Sequence, residues 1–200
     1  MQPIATIADL DAIYGDPVPA ALAKVVDRIT PIYRAWIGAA RFVVLGTVGP
    51  DGTDTSPRGD DGAVVQVADD RTLLLPDWMG NNRIDSLRNI VADGRVSLMF
   101  MVPGSPNVVR VNGTAIVTAD AAARARFDRD GKQPRTVIAI TVAEAYFQCA
   151  KAVMRSGLWR SGDESAAVPS AGDFLAEVRA IADAGAYDAA YSEQAVPRMW

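Results

Sequence analysis

The chain has 200 residues, half of them apolar, a length that suits one compact fold with a helical extension. Its net charge of −4 argues against nucleic acid as the main partner, because binding a phosphate backbone needs a basic surface. One cysteine, Cys149, excludes an internal disulfide and any multi-cysteine metal site, while the absence of histidine removes Ser-His and Cys-His catalysis, so redox or acid–base chemistry must come mostly from a cofactor.

Residues 8 to 38 read as helical segments, broken at Gly15-Asp16-Pro17 and again at Thr30-Pro31, where threonine can cap and proline fits a first turn. Residues 1–40 are accordingly expected to be an N-terminal helical arm. From Arg41 the pattern changes. Phe42-Val43-Val44-Leu45 is a short buried strand, Gly49-Pro50-Asp51-Gly52 a turn, and Thr53-Asp54-Thr55 the start of the return. A second hairpin runs from Ala63 to Val67, turns at Ala68 to Arg71 and returns over Thr72 to Leu75.

Between Asn82 and Val91 the apolar residues Ile84, Leu87 and Val91 recur at helical spacing, with Asn82 as the expected N-cap and Asp85 at the third position. Val96 to Val102 is another buried strand, and Pro103-Gly104-Ser105-Pro106 turns the chain into a long strand from Val108 to Thr118. Alternation there places Val109, Val111, Ala115 and Val117 on one face and Arg110, Asn112 and Thr114 on the other. That second face is either ordinary surface or a surface that meets a partner or ligand. Asp120 caps a short helix through Phe127, and Thr136 to Val142 forms a last strand with Ile138, Ile140 and Val142 inward. Six or seven short strands around one longer helix predict a mainly β protein with flanking helices, a closed antiparallel barrel, and the lack of βαβ alternation argues against a Rossmann sheet. Residues 161–172 are small and polar and read as a mobile loop, before a helix near Asp173 to Ala184 and a tail ending Arg198-Met199-Trp200. No apolar run approaches the roughly 20 residues that span a bilayer, and no basic start precedes an apolar stretch, so a cytoplasmic protein without membrane contact is expected.

Two segments carry the chemistry. Ser56-Pro57-Arg58-Gly59-Asp60 follows the first hairpin, and Gly80-Asn81-Asn82-Arg83-Ile84-Asp85-Ser86-Leu87 opens a helix. A planar guanidinium bonds two phosphate oxygens at once, and a helix start offers free N–H groups. Arg58, Arg83, Asn81 and Asn82 supply both devices. Either arginine alone would serve as well in an ion pair, Arg58 with Asp60 or Asp61 and Arg83 with Asp85 or Asp77; the two together favour a phosphate site. Neither segment matches a P-loop or a glycine-rich dinucleotide fingerprint.

The order of these parts resembles the pyridoxamine 5'-phosphate oxidase-like split barrels that bind FMN. It is most similar to the branch with an Asp-Gly turn, Ser-Pro-Arg-Gly-Asp, a hairpin ending Leu-Pro-Asp, then Gly-Asn-x-Arg-x-Asp-Ser-Leu and Val-Asn-Gly, here Val111 to Gly113. The resemblance covers about residues 40 to 160. It implies a six-stranded antiparallel split barrel over 41–160, with 161–200 as loop and helical tail packed on it. It further implies that Arg58 and Arg83 hold the flavin phosphate with Ser56, Asn81 and Asn82, and that backbone around Gly59, Asp60 and Pro76 borders the ring. Such barrels are homodimers with two flavin sites at the interface, and the polar face bearing Arg110 and Asn112 would suit that role.

The run Tyr146 to Trp159 is also similar to this branch, in which histidine commonly stands where this chain has Gln148. Lys151 and Arg155, four apart, share a face if the run is helical and either add positive charge near the flavin or form a solvated basic face. Cys149 is expected to be a buried small apolar residue and Trp159 to belong to core or interface. The Arg198-Met199-Trp200 ending does not match the spacing of the vitamin B6 enzymes, so their activity is not carried over. The resemblance thus implies an FMN-dependent oxidoreductase with a small-molecule substrate or electron donor. The alternatives are a carrier or sensor of flavin, deazaflavin or haem without turnover, and a structural dimer in which Arg58 and Arg83 make ordinary carboxylate pairs; the lack of histidine weakens the haem version.

Overall fold

The computed structural model describes residues 1–149 and 151–200, residue 192 by its backbone alone. Ala150, inside the Tyr146 to Trp159 motif, lies outside the described residues. Apolar alternation from Phe42 onward builds strand β1 (Phe42–Gly49), and the Pro50-Asp51 turn returns the chain as β2 (Gly52–Gly59) in the register Gly49 to Gly52. The strands β3 (Gln66–Val67), β4 (Thr72–Asp77), β5 (Arg95–Met101), β6 (Val108–Thr118) and β7 (Thr136–Gln148) complete one sheet in the order β2-β1-β5-β6-β7-β4-β3, every pair antiparallel. The mainly β split-barrel architecture with flanking helices is therefore present, with seven strands rather than six because the two-residue β3 pairs at the edge of β4.

The inward set is the one that alternation predicts: Val43 and Leu45, Leu73 and Leu75, Leu98 and Phe100, Val109 and Val111, Ile138 and Ile140 are all buried. Each such side chain contributes roughly 1.5–3 kcal/mol by leaving water. The last strand runs six residues past the predicted end at Val142. The cause is a bulge: Asn112 faces Glu144 but Gly113 faces Val142, so Ala143 is left over and the inward set changes parity to include Ala145. Gly113 permits it, because a Cβ there would stand 2.0 Å from the Thr141 carbonyl oxygen.

Helices α1 (Ile7–Tyr14) and α2 (Pro19–Ala23) bury no side chain, whereas α3 (Pro31–Ala39) seats Ile37 in the core beside Ile29 and Ala40. A backbone bridge between Val26 and Ala145 ties the end of the arm to the sheet. Helix α4 (Asp85–Ala92) packs Ser86 and Ile90 against the barrel and starts two residues later than a cap at Asn82 predicts. Asn82 is not its cap: Asn82 and Ile84 both take left-handed backbone, with φ of 61° and 52°, so the chain turns before the helix can form. Short helix α5 (Ala121–Ala125) is capped by Asp120 as expected, and α6 (Lys151–Ser156) follows the sheet. The single helix expected near 173–184 is instead two, α7 (Ala171–Glu177), opened by a Ser170–Asp173 capping box, and α8 (Ala184–Ala195). Arg179 at φ 58° breaks the run. The predicted loop at 161–172 contains a 3-10 turn at Ser165–Ala167 and the first residues of α7.

Candidate functional site

Among the described residues β2 pairs with β1 alone, and β4 lies beside the two-residue β3 at the far end of the sheet order, so the barrel is open between β2 and β4. A cavity of about 780 Å³ occupies this opening, within the range of small-molecule sites. Its walls are Asp54 to Gly59 of β2, Leu75 to Asp77 of β4, the segment from Trp78 to Leu87, Arg135 and Thr136 at the start of β7, and Met199.

The two-residue period of β2 puts Asp54, Ser56 and Arg58 on its more buried face. Arg58 donates from Nε to Ser56 Oγ at 3.1 Å and from Nη1 to Asp77 Oδ1 at 2.5 Å, an ion pair across the split whose side chains are 20% and 15% exposed. Arg83 donates to Asp85, and Asn81 Oδ1 accepts from the Arg83 backbone N–H at 3.0 Å. Asn82 turns its side-chain oxygen to Arg135, which donates from Nη1 at 2.9 Å. Ser86 donates to Asp54 at 2.8 Å, while the buried Thr136 Oγ1 has no partner among the described residues. The cavity thus gathers Ser56, Arg58, Gly59, Pro76, Asn81, Asn82 and Arg83. Both arginines expected to bind phosphate also hold a carboxylate, as the ion-pair alternative required, although Arg58 takes Asp77 rather than Asp60 or Asp61.

Asp60 stands behind the cavity wall. Its side chain is 4% exposed, pairs with Arg129 and accepts from Trp78 Nε1 at 3.2 Å, and so fixes the ring that lines the cavity. Burial, and then the hydrogen bond with Asp61, push its carboxyl above the usual range. Asp61 is held down at about 2, chiefly by its hydrogen bond from Arg129, then by Asp60. The Arg129 guanidinium also lies over the rings of Trp78 and Trp200, at 5.7 and 4.9 Å.

The remaining expected residues do not line this chain's cavity. Arg110 lies over the Tyr146 ring at 5.3 Å, with Nη1 3.5 Å from Gln148 Oε1, and Asn112 donates to Glu144 at 2.7 Å. Lys151 and Arg155 are exposed on α6. Cys149 is exposed, not buried, because it falls one residue past the end of β7 and beyond the core. Trp159 donates from Nε1 to the Ser105 carbonyl at 2.8 Å. Sequence reasoning missed Asp77 as the partner it is for Arg58, as well as Trp78, Arg135, Thr136 and Met199. Only the pairing of Asp77 with Thr136 brings Arg135 to the site, and that register was legible in the two strand patterns only once β4 and β7 were known to be neighbours.

The family model described as pyridoxamine 5'-phosphate oxidase matches residues 29–149, more than half of the chain. The chain belongs to the pyridoxamine 5'-phosphate oxidase family. In this family member the match begins at Ile29, the first core residue of the arm, and ends just past β7, so it takes in the whole sheet and every cavity residue except Met199. Among solved structures, HupZ from Group A Streptococcus is 21% identical with a TM-score of 0.50, covering 61% of this chain and 95% of that one. A histidine-to-alanine variant of HupZ gives 19% identity and a TM-score of 0.50, covering 60% and 99%. At that identity the likeness establishes the shared fold. A comparison with curated proteins gives no match. Among the described residues no helix is long and apolar enough to cross a membrane.

Proposed function

We propose that this chain binds FMN in the opening between β2 and β4 and acts as an FMN-dependent oxidoreductase. The observation that carries the reading is the convergence of Arg58, Arg83, Asn81 and Asn82 on one cavity, in a member of this family. The donor set fits a phosphorylated, partly apolar ligand: guanidinium and amide donors suit the phosphate, while Val64, Leu75, Pro76, Trp78 and Met79 supply apolar wall for a ring. FMN, when bound, supplies hydride or electron transfer. The protein's part is to orient and shield. Arg58 and Ser56 fix the anionic end from β2, Arg83 and Asn81 approach it from the segment before α4, and Asp60 holds Trp78 in the wall. Arg110, Asn112, Lys151 and Arg155 are assigned to the site of a second copy in a homodimer, since they lie away from this chain's own cavity.

A second reading, a carrier or sensor without turnover, draws on the acidic groups of the cavity. Among the described residues Asp77 and Asp85 are held in ion pairs with Arg58 and Arg83 and Asp54 accepts from Ser86, so none of the three carboxylates lining the cavity is without a partner. The visible absorption spectrum of the purified protein, and of the supernatant after heat release, tests the shared claim. A flavin spectrum that survives desalting, with FMN released, is the expected result. A colourless protein that also fails to take up added FMN refutes it. Steady-state reduction by a nicotinamide donor then separates the oxidoreductase from the carrier.

A further inference from the structure

The three arginines of the cavity are not equivalent. Arg58 is paired with Asp77 and Arg83 with Asp85, whereas Arg135 has no carboxylate within ion-pair distance among the described residues. Among the described residues its one side-chain hydrogen bond goes to the neutral amide oxygen of Asn82, so most of its five donors are left for a ligand. The segment that presents Asn82 is held in costly backbone, since the β-branched Ile84 at φ 52° is disfavoured by roughly 1–2 kcal/mol. Thr136, the next residue on the same wall, has a buried hydroxyl with no partner among the described residues. An uncompensated guanidinium and a strained segment whose amide touches it thus meet on the cavity wall, and the adjacent residue carries a buried, unpaired hydroxyl.

We infer that Arg135, oriented by Asn82, is a further anion-binding cation of this cavity, beside Arg58 and Arg83, and takes a phosphate or carboxylate group of the ligand. Arg58 and Arg83 must give up or share a carboxylate to do the same. The inference rests on the cavity being a ligand site and deepens the FMN reading. The anionic group has two sources, the flavin's own phosphate or an anionic group on the substrate.

The test measures binding of FMN, riboflavin and inorganic phosphate to the wild type, Arg135→Gln and Arg135→Lys, with Arg88→Gln as a control that removes one charge outside the cavity. A hydrogen bond to a charged group is worth enough to predict about 10- to 100-fold weaker binding in Arg135→Gln. If the flavin phosphate is the partner, FMN weakens by that factor, riboflavin stays within about twofold and Arg135→Lys recovers part of the loss. If the substrate supplies the anion, FMN is unchanged and phosphate binding to the FMN-loaded protein weakens instead. The inference is overturned if FMN and phosphate affinities both stay within about twofold of wild type, if FMN and riboflavin weaken together, or if Arg88→Gln matches Arg135→Gln. A wild type that binds phosphate but no flavin refutes the FMN reading, and the phosphate comparison then decides Arg135 by itself. A wild type that binds none of the three overturns both.

Discussion

Arg58 and Asp77 make opposite demands on the cavity, and substituting each in turn separates ligand binding from fold stability. The pair crosses the split at 2.5 Å with side chains 20% and 15% exposed, so it is partly shielded from water. At an effective dielectric near 20, two charges about 4 Å apart attract by about 4 kcal/mol. Desolvation offsets much of this, leaving a net contribution of about 1–3 kcal/mol. Arg58→Ala strands Asp77 and should lower stability by about 2–3 kcal/mol, and it should also weaken FMN binding by about 30-fold to several thousand-fold, as loss of a shielded charge partner does. Asp77→Asn should cost about 1–2 kcal/mol of stability yet leave FMN affinity unchanged or up to about tenfold tighter, because it removes the group that competes with phosphate for the Arg58 guanidinium. Urea unfolding followed by tryptophan fluorescence reads the first quantity, and flavin titration the second. If both variants lose stability while neither changes FMN affinity, Arg58 is a strut across the split and not a ligand group. If Asp77→Asn weakens binding as much as Arg58→Ala does, the competition argument fails.

Gly113→Ala places a Cβ 2.0 Å from the Thr141 carbonyl oxygen and 3.0 Å from its carbon, both backbone atoms, so a loss of about 3 kcal/mol or more is expected in denaturant unfolding; a loss below about 1 kcal/mol would contradict the close approach at the bulge. Arg129→Gln leaves Asp60 buried beside Asp61 without a cation. In the wild type the stability that Asp61 contributes is fully present above its unfolded value near 3.8 and is lost as pH falls towards 2, whereas the raised Asp60 has the opposite sign and favours the fold more as pH drops through the carboxylate range. In Arg129→Gln the second effect dominates, so its Tm deficit should be largest near pH 7 and shrink towards pH 4; a deficit that is constant or grows in acid would refute the assignment. Thr136→Val replaces a buried hydroxyl that lacks a partner with a methyl group and should raise the stability of the ligand-free protein by about 1 kcal/mol; a fall would mean that the hydroxyl is satisfied.

Much of the fold is legible in the sequence wherever the cause is local. Proline and glycine punctuate the arm, Asp51-Gly52 closes the first hairpin, the period of two in Val109 and Val111 marks a half-buried strand, and Asp120 caps its helix, each signal acting within a few residues. The types and order of Arg58, Asn81, Asn82 and Arg83 were enough to expect an anion site. Their partners were not readable, because those depend on which strands become neighbours. Arg58 meets a carboxylate 19 positions away, and Asn82 meets Arg135 at a separation of 53. The late start of α4 and the break between α7 and α8 come from left-handed residues at Ile84 and Arg179, types that rarely adopt that conformation, so no local preference announces them. The extension of β7 past Val142 needs a bulge that only pairing with β6 across Gly113 creates. The sequence by itself determined where most of the strands and helices lie and which side chains carry the charge; only the closing of the sheet decided which of those charges stand together, because strand order brings distant residues within hydrogen-bonding reach and local periodicity does not encode it.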